Sequence, residues 1–455
     1  MNRLGYFLLI LVILFSGSCQ PNSTRANLPQ DKYIQVYFNH RDTGKQTYID
    51  NYRNVTRTGD NLEAIIIEAI EQAESTIDLA VQELQLLGIA NALAKQAANG
   101  IEIKVILDNK YSRAVSNFTA SEINQLPARE RDRYQQYVRL IDLDRNGILT
   151  QQEINERDAL AILNNANIPL IDDTADGSKG SGLMHHKFMI IDGQTVVTGS
   201  ANFTLSGIHG DLDNANTMGN VNHLVVINHR EIARLFAEEF NYMWQDREFG
   251  LDKAWRSPQT ISWNNSKVTV QFSPVSSKQD WSLSANGLIG KMLDKASKSI
   301  DLILFVFSDQ NLVDILQKKQ QQGVSIKALI DREFIFRYYS EALDMLGVSL
   351  ANKCKYEANN NPWNNNLKTV GTADLATGDK LHHKVAIIDN NTVITGSQNW
   401  SAAANYKNDE TVLVIDNKTV AKHFQQEFDR LYKNANLGLS ERIKSKIKQQ
   451  QLRCG

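Results

Sequence analysis

The sequence predicts an α/β protein composed of two similar halves, and three observations carry that prediction. First, "MHHKFMIIDGQTVVTGSAN" at 184–202 returns as "LHHKVAIIDNNTVITGSQN" at 381–399. Second, "STIDLAVQEL" at 75–84 is matched by "KSIDLILFVF" at 298–307, each preceded by a helical pattern and followed by another helix and strand. Third, 455 residues exceed what one ordinary core holds.

The chain opens with "MNRLGYFLLILVILFSGSC", one positive charge followed by an apolar run from Leu4 to Phe15. The run is short for a membrane span and reads as an export signal over residues 1–19. Small residues before Cys19 resemble a bacterial lipoprotein site, with Cys19 as the acylated residue and membrane anchor. Ordinary cleavage after Ser18 and an uncleaved anchor are the alternatives. The expected location is therefore exported: a cell-envelope lipoprotein, or a periplasmic or secreted protein. Residues 20–32 read as a flexible tether.

The first half spans residues 33–250 and the second 265–435, joined by a polar connector. In each, "ANGIEIKVILDN" (98–109) or "QQGVSIKALIDR" (321–332) supplies a second β-branched strand after a helix. The Gly before it is a helix stop, and parallel βαβ pairing follows. The acids at the matching strand positions, Asp78 to Asp108 and Asp301 to Asp331, keep the same 30-residue spacing. The halves differ between Asp108 and His185, 77 residues against 51 from Asp331 to His382.

The extra residues belong to an insertion at 115–165 that contains "DLDRNGILTQQE". This fits an EF-hand calcium loop at every fixed position. Asp142, Asp144 and Asn146 offer side-chain oxygens, Ile148 a backbone carbonyl, Thr150 the ninth position, and Glu153 two oxygens. "ARERDRYQQYVRLI" before it and "QQEINERDALAILNN" after it both read as helices. Calcium is the expected ion, structural or regulatory; a polar turn between helices is the plainer reading. Residues 436–455 form a basic tail, either touching phosphates or forming a solvated amphipathic helix. Cys354 and Cys454 are either paired or free.

Each repeat fits His-x-Lys-x4-Asp-x6-Gly-Ser-x-Asn. The first uses His185, Lys187, Asp192, Gly199, Ser200 and Asn202; the second uses His382, Lys384, Asp389, Gly396, Ser397 and Asn399. His and Lys at i and i+2 of a strand face one side, and a tight turn returns the Gly-Ser-x-Asn strand beside them. Two imidazoles, two lysines and two amides suit phosphodiester cleavage. One His attacks phosphorus, the other protonates the leaving oxygen, and Lys and Asn hold the phosphoryl oxygens. The motif offers no carboxylate cluster for a catalytic metal, and none is expected.

The paired motif resembles that of the phospholipase D superfamily, over both halves but not the tether or the calcium insertion. The resemblance implies two α/β halves, each a sheet flanked by helices, about a pseudo-twofold axis with the site at their interface. It implies a phosphohistidine intermediate, with His185 as nucleophile and His382 as general acid. Lys187, Lys384, Asn202 and Asn399 would bind the phosphoryl oxygens, while Asp192, Asp389, Ser200 and Ser397 support the site. A neighbouring acid usually orients each His. Glu410 stands where the family places it in the second half, but the matching residue in the first half is Asn222. Either Asn222 orients His185 as an amide, or Asp211 or Asp213 does so.

The motif specifies the reaction better than the substrate. Phospholipase D-type hydrolysis, giving phosphatidic acid and a head-group alcohol, suits an envelope protein with a near-neutral net charge of −2. That balance argues against a broad nucleic-acid face. Trp363, in the Asn-rich stretch 357–366, is either an interfacial residue or a packed anchor. An exported endonuclease is the alternative, and an inactive calcium-binding scaffold a third reading. Both half-sites lie in one chain, which is compatible with a monomer.

Overall fold

The computed structural model describes residues 28–42 and 47–454. The leader, Cys19 and most of the tether lie outside them. Among the described residues no helix is long and apolar enough to cross a membrane.

Two sheets repeat one topology. In the first, the spatial order is Ile34–Phe38, His223–Asn228, Thr195–Gly199, Lys187–Ile191, Thr76–Val81, Glu102–Leu107 and Leu170–Asp172. The second places Ser266–Ser273, Glu410–Asp416, Thr392–Gly396, Lys384–Ile388, Ser299–Leu304, Ser325–Ile330 and Val370–Thr372 in the same order. Thr76–Val81 pairs parallel with Glu102–Leu107, as Ser299–Leu304 does with Ser325–Ile330. Both are predicted βαβ units, their crossovers made by helices Leu87–Ala98 and Gln310–Gln321. The strands are rich in β-branched residues because both faces are covered.

The halves share a core. Helices Arg230–Trp244 and Lys418–Tyr432 lie between the sheets, each amphipathic and each touching the other half. Phe236 meets Phe272 edge-on at 5.4 Å, and Phe424 meets Phe38 at 5.2 Å. Fully burying side chains of this size contributes roughly 1.5–3 kcal/mol each, so the boundary is a true core rather than a hinge.

Two sequence expectations need revision, and the open alternative at Trp363 is decided. The connector is not merely a link. Its Gln259–Trp263 segment is an added edge strand of the second sheet, and Lys253 is buried against Glu239 and Asp409. The stretch after Thr150 is two helices, Gln151–Arg157 and Ala159–Asn165. Buried Asp158 breaks it by capping Leu160 N and accepting from Val115 N at 2.8 Å, a tertiary contact that overrides helix continuity. Trp363 is 2 % exposed within the second half's outer core, so it is a packed anchor and not an interfacial residue. The tail forms helix Glu441–Cys454, fastened by a Cys354–Cys454 disulfide.

Candidate active site

Each motif forms a hairpin, Lys187–Ile191 with Thr195–Gly199 and Lys384–Ile388 with Thr392–Gly396. The turns use left-handed pairs, Asp192 and Gly193 at φ 53° and 58°, Asp389 and Asn390 at 52° and 53°, within three-residue loops between the paired Ile191 and Thr195 and the paired Ile388 and Thr392. Asp192 also accepts from Glu74 N, Ser75 N and Thr76 N at 2.7–2.9 Å and from Ser75 Oγ. Asp389 repeats this with Ser297, Lys298 and Ser299. Partial burial opposes ionisation, yet these donors hold both carboxyls below their ordinary range. The motif aspartates therefore fasten each hairpin to the helix–strand junction beside it.

The closing glycines permit a close approach. A Cβ on Gly199 would lie 2.2 Å from the His223 carbonyl oxygen, and one on Gly396 2.1 Å from that of Thr411. The next residues hold the same neighbours. Ser200 Oγ donates to Asn222 Oδ1 at 2.7 Å, and Ser397 Oγ accepts from Thr411 N at 2.9 Å.

Short parallel bridges, Met184 with Asp409 and Val221 with Leu381, lace the halves together immediately before each catalytic-type His. His185 N donates to the Asp409 carbonyl and His382 N to the Val221 carbonyl. Each imidazole thereby meets a partner from the opposite half. His185 Nδ1 lies 2.6 Å from Glu410 Oε2, and His382 Nδ1 lies 3.0 Å from Asn222 Oδ1 and 3.1 Å from the Ser200 carbonyl oxygen. This corrects the sequence expectation. Asn222 holds His382 and not His185, while Asp211 and Asp213 serve the loop, Asp213 pairing with Arg139. The exchange follows from the topology, because each supporting residue leaves its own strand toward the boundary.

The amide of Asn222 is itself fixed. Its Nδ2 donates to the Gly207 carbonyl, which turns Oδ1 toward Ser200 and His382. Both neighbours of His382 Nδ1 are acceptors, so that nitrogen carries the proton and Nε2 is left for chemistry. Glu410 imposes the same tautomer on His185.

Lys187 Nζ donates to the His185 carbonyl at 2.8 Å, and Lys384 Nζ to that of His382 at 2.7 Å. All four groups are buried and repel one another. Burial, then the two lysines, pushes both His185 and His382 well below the ordinary histidine value. Burial brings Lys187 down to about 8; Lys384 falls well below its ordinary value through burial and then Lys187. Glu410 is raised to about 7 by burial, against the pull of Lys187. Such a centre is short of negative charge and disposed to take up an anion. Asn202 Nδ2 donates to Gln82 at 3.2 Å, while the Oδ1 atoms of Asn202 and Asn399 are buried without a protein partner.

Sequence reasoning missed the layer beneath. His186 bonds Thr411 Oγ1 and Glu239; His383 lies 2.8 Å from His223 Nδ1 and bonds Glu427. His223 also reaches Thr395. The second His of each "HHK" was the available signal. Phe305, at the position of Gln82, packs against His382 at 4.7 Å.

The 142–153 loop stands apart from this centre. Helix Ala128–Ile141 ends at Asp142, and Asp142, Asp144 and Glu153 bring carboxylate oxygens within 4.8 Å of one another. Gly147, at φ 81°, makes the sharp turn. Asp142 accepts from Asn146 N and Gly147 N, and Glu153 from Leu143 N and Thr150 N. An all-oxygen donor set on a preformed turn fits a hard cation.

Two α/β halves sharing one histidine–lysine centre at their boundary define a phospholipase D-like fold. The chain belongs to the family described as cardiolipin synthase, PLD-like domain, whose model matches residues 66–244 and 289–432. It is 28% identical over 144 residues to a mitochondrial cardiolipin hydrolase of Xenopus tropicalis, covering 31% of this chain and 58% of that protein. It is 28% identical over 165 residues to a phospholipase D of Rickettsia conorii, 36% of this chain and 69% of that one. The chain thus spans about half the length of the first of these relatives. The crystal structure of a phosphatidylserine synthase of Haemophilus influenzae Rd KW20 shares the fold across 94% of this chain and 93% of its own, at a TM-score of 0.55 and 13% identity.

Proposed function

We propose that this protein is a phosphodiesterase that hydrolyses phospholipids to phosphatidic acid and a head-group alcohol. The observation that carries the phosphodiesterase reading is the cross-braced pair. Two imidazoles have their Nδ1 protons fixed, so both Nε2 atoms are free for chemistry, within a lysine-rich centre.

With the phosphate bound, the second imidazole takes up a proton at Nε2; the first imidazole's Nε2 then attacks phosphorus as the P–O bond to the leaving group breaks, and the second gives that oxygen its Nε2 proton. Water then attacks the phosphohistidine, losing its proton to the second imidazole, and the N–P bond breaks. Glu410 favours His185 as the nucleophile, because a phosphoimidazolium is cationic and a buried carboxylate opposes that charge. An amide leaves the His382 imidazolium a stronger acid. The arriving phosphate offsets the lysines and raises the proton affinity of His382. Lys187 and Lys384 neutralise charge growing on the phosphoryl oxygens. The phospholipid reading rests on the names of relatives, cardiolipin hydrolase and phospholipase D.

We further propose calcium at the 142–153 loop, structural or regulatory, supported by the gathered carboxylates. Export, with Cys19 as lipid anchor, is proposed from the apolar leader. The deciding experiment offers the purified protein phosphatidylcholine, cardiolipin and plasmid DNA in parallel. Phosphatidic acid or its equivalent should appear with wild type and not with His185→Ala; DNA cleavage without lipid turnover sinks the substrate reading.

A further inference from the structure

The 115–165 insertion does more than carry the candidate calcium loop. Helix Ala128–Ile141 packs on the first half through Tyr137, Leu140 and Ile141 and, with the segment after Leu107, lines a half-open cavity with about 110 Å³ of space in it. Its wall includes Tyr111, Phe118, Leu126, Tyr134 and Leu160. We propose that this cavity takes one acyl chain of the phosphatidyl group, an inference that rests on the phospholipid reading above.

Position is the first argument. The inner wall is the segment Glu83, Leu84 and Gln85, which is bonded directly to the motif. Phe203 N donates to the Glu83 carbonyl at 3.1 Å, Gln85 N donates to the Phe203 carbonyl at 2.8 Å, and neighbouring Gln82 holds Asn202. Residues that line the pocket and residues that hold the motif are therefore neighbours on one stretch of chain.

Chemistry is the second. Polar groups lining the cavity are largely engaged with protein neighbours. Arg133 pairs with Glu83 at 2.7 Å and donates to the Tyr111 hydroxyl, Gln85 donates to Glu83, Arg113 pairs with Glu122, and the Tyr137 hydroxyl donates to Asp158. A nucleobase would need free donors and acceptors. What these pairs leave available is aromatic and aliphatic surface, which suits an alkyl chain. Exposed Lys110 borders the cavity and complements an anionic lipid.

Mechanism is the third. A phosphohistidine formed from a phospholipid keeps its diacylglyceryl group until water attacks. A pocket for the acyl chain would hold the substrate through both steps, whatever the head group. The matching segment of the second half, Asp331 to His382, is shorter than Asp108 to His185, so the two sides of the site differ and the longer one suits the retained group.

Diacyl phosphatidylcholines with chains of four, six and eight carbons, all below their micellar concentrations, test this on the unaltered protein. We expect kcat/KM to rise at least tenfold from four to eight carbons. In Leu126→Trp, which fills the cavity, that gain should collapse below twofold. A phosphatidylcholine carrying a diazirine on its acyl chain should label peptides containing Tyr111 or Tyr134, which decides the matter even if the variant fails to fold. A flat chain-length series, or labelling elsewhere, overturns the pocket while leaving the phospholipase reading intact. Absence of any phospholipid turnover, with a simple diester such as bis-p-nitrophenyl phosphate still cleaved, overturns the substrate reading and the pocket with it.

Discussion

Asn222 belongs to the first half, yet its Oδ1 lies 3.0 Å from Nδ1 of His382 in the second. The same atom accepts from Ser200 and the same amide donates to Gly207, so its orientation is set before any substrate arrives.

Asn222→Asp replaces that amide with a buried carboxylate and favours the imidazolium of His382. The pH limb of kcat assigned to His382 should move up by about one unit, and turnover at neutral pH should fall. A group with only a packing role would lower kcat without moving the limb.

Glu410→Gln keeps the shape and removes the charge behind His185. The loss should be in kcat, about 100-fold, with KM nearly unchanged. Rapid-quench trapping should show slower formation of the phosphoenzyme. A KM effect alone would mean that Glu410 serves binding and not the attacking step.

Lys187 titrates near 8 because burial disfavours its ammonium. Its charge is present below that pH and is lost above it, so kcat/KM should decline as pH rises through about 8. Lys187→Arg stays protonated throughout the accessible range, and the decline should disappear or shift upward even if the maximum rate is lower.

Asp192→Ala removes an acceptor for three backbone N–H groups and the Ser75 hydroxyl, in a residue at positive φ. Stability should fall by about 2–3 kcal/mol, seen as a lower denaturant midpoint. Asp192→Asn, which tolerates the left-handed conformation, should cost about 1 kcal/mol. Activity below the transition should survive in both.

Chelation addresses the 142–153 loop. EDTA should lower the thermal transition of the folded protein, and calcium should restore it. Loss of activity with an unchanged transition would instead place the ion in the chemistry.

Much of this was legible in the sequence, because repetition and period are local signals. The βαβ units, both hairpins and helix Ala128–Ile141 all follow from spacing along the chain. What failed was pairing across the boundary. Asn222 and His382 are 160 residues apart, and His185 and Glu410 are 225 apart. No periodicity reports which half a side chain faces. The natural assumption, that each half supports its own His, was wrong for that reason. The buried His186, His223 and His383 escaped notice because each reads alone as an ordinary strand residue. Asp158 escaped because its cap depends on Val115 and Tyr137, contacts made only once the insertion folds.

The exchange of supporting residues also bears on how such a chain could be taken apart. A homodimer of first halves would put an Asn222 behind each His185, and a homodimer of second halves a Glu410 behind each His382. Either would be a symmetric enzyme with two identical imidazoles. Only the joined chain gives one histidine a carboxylate and the other an amide, so covalent fusion is what allows the two sides of the phosphorus to specialise.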